Sequence, residues 1–120
     1  MIIKENEYVR FLTVEDGDDL VVSFGLGVHA ERSFTLLRTP KYESLLPDGE
    51  RGVSVHTGMP GSIDRDFLVS VKWGTREVTI QSTQNVYVLD IHAAVPEELR
   101  EAKAVLRKMN FDNRFVFNDV

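Results

Sequence analysis

Residues 8–14, Tyr-Val-Arg-Phe-Leu-Thr-Val, form a short run rich in β-branched and aromatic side chains, the composition of a strand. The run stops at Glu15-Asp16-Gly17-Asp18-Asp19, where Asp and Gly tolerate turn dihedrals, and resumes as Leu20-Val21-Val22-Ser23-Phe24. Two strands flanking a compact turn predict a β-hairpin. Farther along, Phe67, Val69, Val71 and Trp73 alternate with Leu68, Ser70 and Lys72; Gly74-Thr75 turns the chain, and Val78 and Ile80 resume the alternation. That pattern predicts a second hairpin with one buried face. Residues 85–92 are apolar on both faces in their middle, as expected of a central strand covered on both sides.

Between the hairpins the pattern is more broken. Phe34 and Leu36 alternate as in a strand, although Ala30, Phe34 and Leu37 also suit a short helix. Residues 39–52 read as the longest loop, punctuated by Pro40, Pro47, Asp48, Gly49 and Gly52; its apolar Tyr42, Leu45 and Leu46 are expected to tuck back onto the domain. Val53-Ser54-Val55-His56-Thr57 alternates as a strand, and Gly58-Met59-Pro60-Gly61-Ser62 is a further loop.

The change of period comes at Pro96, a residue suited to a first helical turn because its missing N–H has no partner there anyway. Leu99, Ala102, Leu106 and Met109 recur at spacings of three and four and make one apolar stripe. Glu97 and Glu98 at the start and Arg107 and Lys108 near the end complement the helix dipole, and Asn110 is a terminator. Residues 114–117 add a short last strand. The chain therefore predicts one α+β domain over residues 1–120: a largely antiparallel sheet of six or seven strands with one C-terminal helix packed on one face.

A length of 120 residues suits one domain, and 42% hydrophobic with 28% charged residues is globular usage that excludes a disordered chain. No apolar run approaches the ~20 residues that span a bilayer. Residues 1–7 lack the layout of a secretory signal, so a cytoplasmic address is expected. The absence of cysteine excludes thiolate metal sites, thiol catalysis and disulfides. Net charge is −5, and residues 1–20 carry six acids against Lys4 and Arg10. That balance disfavours nucleic acid as a partner and favours a basic protein, the simpler reading being that it keeps the chain soluble.

Candidate chemistry is sparse. Gly25-Leu26-Gly27-Val28-His29-Ala30 matches a dinucleotide fingerprint letter for letter, but that motif needs a helix in a parallel βαβ unit, and no second βαβ pattern exists. The glycines are expected to permit a bend between strands. His29, His56 and His92 show no metal-ligand spacing. Asp16-Gly17-Asp18-Asp19 is no complete calcium loop, because the apolar strand at Leu20 begins where the remaining ligands belong. Ser54, His56 and Asp64 form a triad on paper without a nucleophile elbow, and Asp64-Arg65-Asp66 holds a local ion pair as readily as a general acid.

The order of elements resembles the bacterial immunity protein 10 family over about residues 20–110. Carrying it are the strand Phe34-Thr35-Leu36-Leu37-Arg38, the acidic loop Pro47-Asp48-Gly49-Glu50, the hairpin 67–80, the strand 87–91 and the helix 97–109. Residues 58–62 and the tail after residue 110 have no place in that pattern. The resemblance implies a stoichiometric inhibitor of a cognate toxin, with no catalytic motif to transfer; from charge, spacing and composition no cofactor, metal, membrane or nucleic-acid partner is expected. Charge clustering nominates Glu15, Asp16, Asp18 and Asp19 as partner contacts, with Asp48 and Glu50 as second choices. Two other classes compete: a small-ligand or enzymatic domain with a cleft at Gly25 to Ala30, and a homodimer or larger homo-oligomer joined through exposed strand edges.

Overall fold

The computed structural model describes residues 6–27, 29, 32–57 and 66–119. Among them the alternating runs become β1 (Asn6–Asp16), β2 (Leu20–Leu26), β3 (Arg32–Arg38), β4 (Ser54–His56), β5 (Leu68–Trp73), β6 (Glu77–Ser82), β7 (Val86–Asp90) and β8 (Val116–Asp119). Two helices interrupt them, α1 (Pro40–Glu43) and α2 (Pro96–Met109), with a 3₁₀ turn at Asp48–Glu50. The loop 58–62, Asp64 and Arg65 lie outside the described residues.

The class is α+β, with one mixed sheet of eight strands in the order β4-β3-β2-β1-β7-β6-β5-β8. The expected count of six or seven is corrected. Pairing is antiparallel except for β1 with β7 and β5 with β8, which are parallel. Both predicted hairpins form, β1–β2 and β5–β6. β7 is central, between β1 and β6, as its two apolar faces require. β3 pairs with β2 antiparallel along its whole length, so residues 32–38 are strand rather than helix, and β2 and β3 do not form the parallel pair of a βαβ unit.

A bulge in β1 decides what faces inward. Val9 pairs with Leu26 and Phe11 with Gly25, so Arg10 is an extra residue. Because side chains alternate with period two, the insertion flips the parity: Val9 and Leu12 are both buried, while Phe11 turns outward. β2 and β3 then send Val22, Phe24, Phe34 and Leu36 inward, where each fully buried side chain contributes ~1.5–3 kcal/mol of transfer free energy. Phe34 packs edge-to-face on Phe24 and on Tyr87, tying β2 and β3 to β7.

The sheet curls until β4, at one end, meets the start of β5 near the other. Ser54 of β4 bridges Phe67, Val55 N–H donates to Asp66 O at 2.8 Å, and Leu68 N–H donates to Val53 O at 2.9 Å. β8 takes the remaining edge of β5, from Ser70 to Trp73. α2 buries Ala102, Val105, Leu106 and Met109 in the core that this curl encloses, so the predicted stripe is widened by Val105. β1 pairs with β7 only through residues 6–8; beyond that, Glu98 Oε1 of α2 accepts the Leu12 N–H at 2.8 Å. Among the described residues, no helix is long and apolar enough to cross a membrane.

Candidate functional site

Alternation along β3 carries Phe34, Leu36 and then Arg38 to the inner face. A guanidinium there has five N–H donors and no water to satisfy them, so each must find an acceptor. Nε and Nη2 donate to Glu43 Oε2 and Oε1, both at 2.8 Å. Nη1 and Nη2 donate to Asp112 Oδ1 and Oδ2, also at 2.8 Å. Nη1 donates again to Met109 O at 2.7 Å, one of the carbonyls that the last turn of α2 leaves without an intrahelical donor. The Phe111 ring covers the group, its centroid 4.1 Å from Cζ. Arg38 has no side-chain exposure, and all five donors are spent.

The network extends outward from this centre. Asp112 also accepts from Arg114 Nε at 2.8 Å, and Arg114 Nη2 donates to Asp48 Oδ1 at 2.5 Å. The Gly52 N–H donates to Glu43; Gly52 has φ +126°, a conformation that favours glycine. Asn113 turns the chain with φ +57°, which Asn tolerates better than most residues. The Arg38 hydrogen bonds hold the Glu43 carboxyl below its ordinary range, outweighing burial. Asp112 is held far below its range by Arg38, with Arg114 adding to the effect. Burial alone would lower the Arg38 pKa; the bonds to Asp112 and Glu43 outweigh it and raise it.

The predicted contact residues gather around this knot. Glu15, Asp16, Asp18 and Asp19 occupy the β1–β2 tip and are exposed. Asp16 pairs with Lys108 near the end of α2, Asp18 pairs with Lys41 of α1, and Asp19 accepts from the Thr39 hydroxyl at 2.6 Å. Asp48 pairs with Arg114, and Glu50 sits half-buried in the same 3₁₀ turn. Two acidic groups about thirty positions apart in the sequence thus share one pole, joined through α1, the end of α2 and Arg38. Lys41 and Lys108 cancel part of the tip's charge, which the local count along the chain did not include.

Sequence reasoning missed Arg38, Glu43, Asp112 and Arg114 as a group. A signal existed for the first: Arg38 continues the parity of Phe34 and Leu36. The reading of residues 42–46 is overturned. Tyr42 and Leu45 do not tuck back but stand 56% and 80% exposed, and Leu46 is also exposed. Glu43, between them, is the side chain that turns inward to Arg38.

The other candidates resolve into local bonding. Gly25 lies within β2, and a Cβ there would meet the Phe11 ring at 2.7–2.9 Å; the aromatic covers the glycine's open side. Val28 and Ala30 of the fingerprint lie outside the described residues. Ser54 Oγ is 2.9 Å from His56 Nε2 and also donates to Leu37 O at 3.1 Å. The hydroxyl's one proton is thus engaged by a backbone carbonyl, and no carboxylate is seen on His56 among the described residues to complete a triad. Asp64 lies outside the described residues. Asp66 accepts from the Thr83 hydroxyl and Gln84 N–H, bracing the β6–β7 turn. Asp90 accepts from the His92 N–H and Nδ1, which lower its pKa. Among the described residues no three His, Asp or Glu side chains converge as a metal site.

Comparison of the chain with protein-family models, with curated proteins and with solved structures finds no match in any of the three.

Proposed function

We propose that this protein is a non-catalytic binding module, an immunity protein that captures and neutralises a cognate bacterial toxin. The observation that carries the reading is the convergence of Glu15, Asp16, Asp18, Asp19, Asp48 and Glu50 on the pole organised by Arg38. Enzymes that act on nucleic acid present basic surfaces, because they must hold phosphates. A protein of net charge −5 with eight of its nineteen acids at one pole is attracted to such a surface and oriented by it, which speeds encounter. Neutralisation then follows from occupying the surface, with no bond made or broken. The resemblance in element order to immunity protein 10 supports the same reading, and with it go a cytoplasmic address and a one-to-one complex.

The test is co-expression with the protein encoded immediately upstream of this gene, under conditions in which that protein alone arrests growth. Restored growth and a one-to-one complex on size exclusion are expected. Growth arrest unchanged by the protein, with no complex, contradicts the reading.

A further inference from the structure

We propose that Tyr42, Leu45, Leu46 and Phe111 are the apolar anchor by which the Arg38 pole holds a protein partner whose contact surface combines an apolar pocket with a basic rim. The inference rests on the binding-module reading above and adds the residues that set how long the complex lasts.

Single exposed apolar side chains are ordinary on a protein surface; several large ones on adjoining segments are not. Eight large hydrophobic side chains are exposed among the described residues, and four of them lie on the two short segments that grip Arg38. Leu45 is 80% exposed and Phe111 58%. Neither segment is loosely held. Leu45 N–H donates to Tyr42 O and Leu46 N–H to Glu43 O, while Arg51 Nε donates to Leu46 O. Glu43 itself is clamped to Arg38 from inside, and Phe111 rests on the same guanidinium.

A buried ion cluster is a poor route to stability, since desolvation offsets most of the Coulombic gain. What this one provides is position: it fixes α1, the 3₁₀ turn and the chain after α2 relative to one another. Fixed apolar side chains lose little freedom on binding, which is how preorganised anchors reach high affinity. Arg38 is on this account a positioning residue and touches no partner.

Charge selects the occupant. Residues 15–19, 38–52 and 108–114 together hold eight carboxylates and five cations. A second copy would set two such poles face to face with like net charge. An anionic lipid surface would be repelled for the same reason. A basic protein surface complements it.

The experiment measures association and dissociation rates of the purified protein encoded immediately upstream against four forms of this protein. These are wild type, Tyr42→Ala/Leu45→Ala, Phe111→Ala, and Val69→Ala as an exposed apolar control outside the pole. Melting of each form is followed in parallel, and light scattering of the free proteins tests self-association. Dissociation about 30-fold faster or more in the anchor variants is expected, because central anchors typically contribute about 2 kcal/mol or more. Melting and association rate should hold, and Val69→Ala should match wild type. A wild-type complex that dissociates equally slowly from the anchor variants overturns the anchor and leaves the binding-module reading standing. No complex with wild type overturns both. Self-association of wild type that the anchor variants abolish assigns the pole to a second copy and overturns the stated partner.

Discussion

Arg38 meets Glu43 side-on, with Nε and Nη2 each 2.8 Å from a different oxygen of one carboxylate. Neither partner tolerates the loss of the other, because the survivor would remain an uncompensated charge away from water. Arg38→Met should therefore cost ~3–5 kcal/mol, the range for one member of a buried pair. Removing the stranded carboxylate as well, in Arg38→Met/Glu43→Leu, should recover much of that loss. Urea midpoints of the three proteins decide it; a single variant within 1 kcal/mol of wild type would show that the knot is not coupled to folding. Arg38→Lys should behave as a damaging change, since an ammonium cannot reach two carboxylates and a carbonyl in the planar fork geometry.

Acid sensitivity follows from the same group. Glu43 and Asp112 have folded pKa values below their unfolded ones. In the unfolded chain such carboxyls take up protons near pH ~4. Below that pH the unfolded state binds protons that the folded state refuses, so stability falls as pH falls. Above pH ~5 both states are ionised and this contribution is full and constant. Urea midpoints from pH 7 to pH 2 should hold through the upper range and drop below pH ~4, with a shallower drop in Arg38→Met/Glu43→Leu. An equally steep drop in that variant would assign acid sensitivity to other carboxylates.

Phe11 and Gly25 should show a reversal of sign. Gly25→Ala places a methyl where the Phe11 ring lies, and the ring, 42% exposed, must move aside. In the wild-type background the change should destabilise. In a Phe11→Ala background the space is open, and replacing a strand glycine by alanine should stabilise by ~0.5–1 kcal/mol. A double-mutant cycle reads the coupling; additive effects would mean the ring does not rest on the glycine in solution.

Charge at the tip should act on encounter rather than residence. Replacing Glu15, Asp16, Asp18 and Asp19 together with Ser should slow association with the basic partner about tenfold at low salt and flatten the salt dependence, leaving dissociation largely unchanged. Stopped-flow rates at two ionic strengths measure both. Because Asp16 and Asp18 also hold Lys108 and Lys41, thermal melting should fall only slightly, as exposed pairs contribute ~0–1 kcal/mol. An unchanged association rate would remove steering from the account.

Much of the sheet was legible because burial on one face writes period two into the sequence: Val71, Trp73, Val78 and Ile80 are buried as that pattern expects, but a bulge between Leu68 and Ser70 breaks the alternation, so Leu68 is buried and Val69, expected on the buried face, is exposed. α2 was legible for the same reason at helical spacing. The bulge after Val9 was not, since a continuous run of apolar residues gives no parity to break. Nor were the parallel pairings of β1 with β7 and β5 with β8, which depend on how the sheet curls rather than on local pattern. The pole was legible only in its acids. Their partners lie 23 and 92 positions away in Lys41 and Lys108, and Arg38 is joined to Asp112 across 74, distances that no local count can bridge. The outward turn of Tyr42 and Leu45 was hidden because apolar loop residues normally do pack inward; here Glu43 takes the inward position instead.

Hydrogen exchange of the protein with and without the protein encoded immediately upstream tests the central claim most directly. Slowed exchange concentrated at the backbone amides of residues 15–19, 42–52 and 110–114, with β4 and the β6–β7 turn unaffected, is the expected result. Protection elsewhere, or an exchange pattern that the upstream-encoded protein leaves unaltered, would contradict the assignment of this pole as the binding surface.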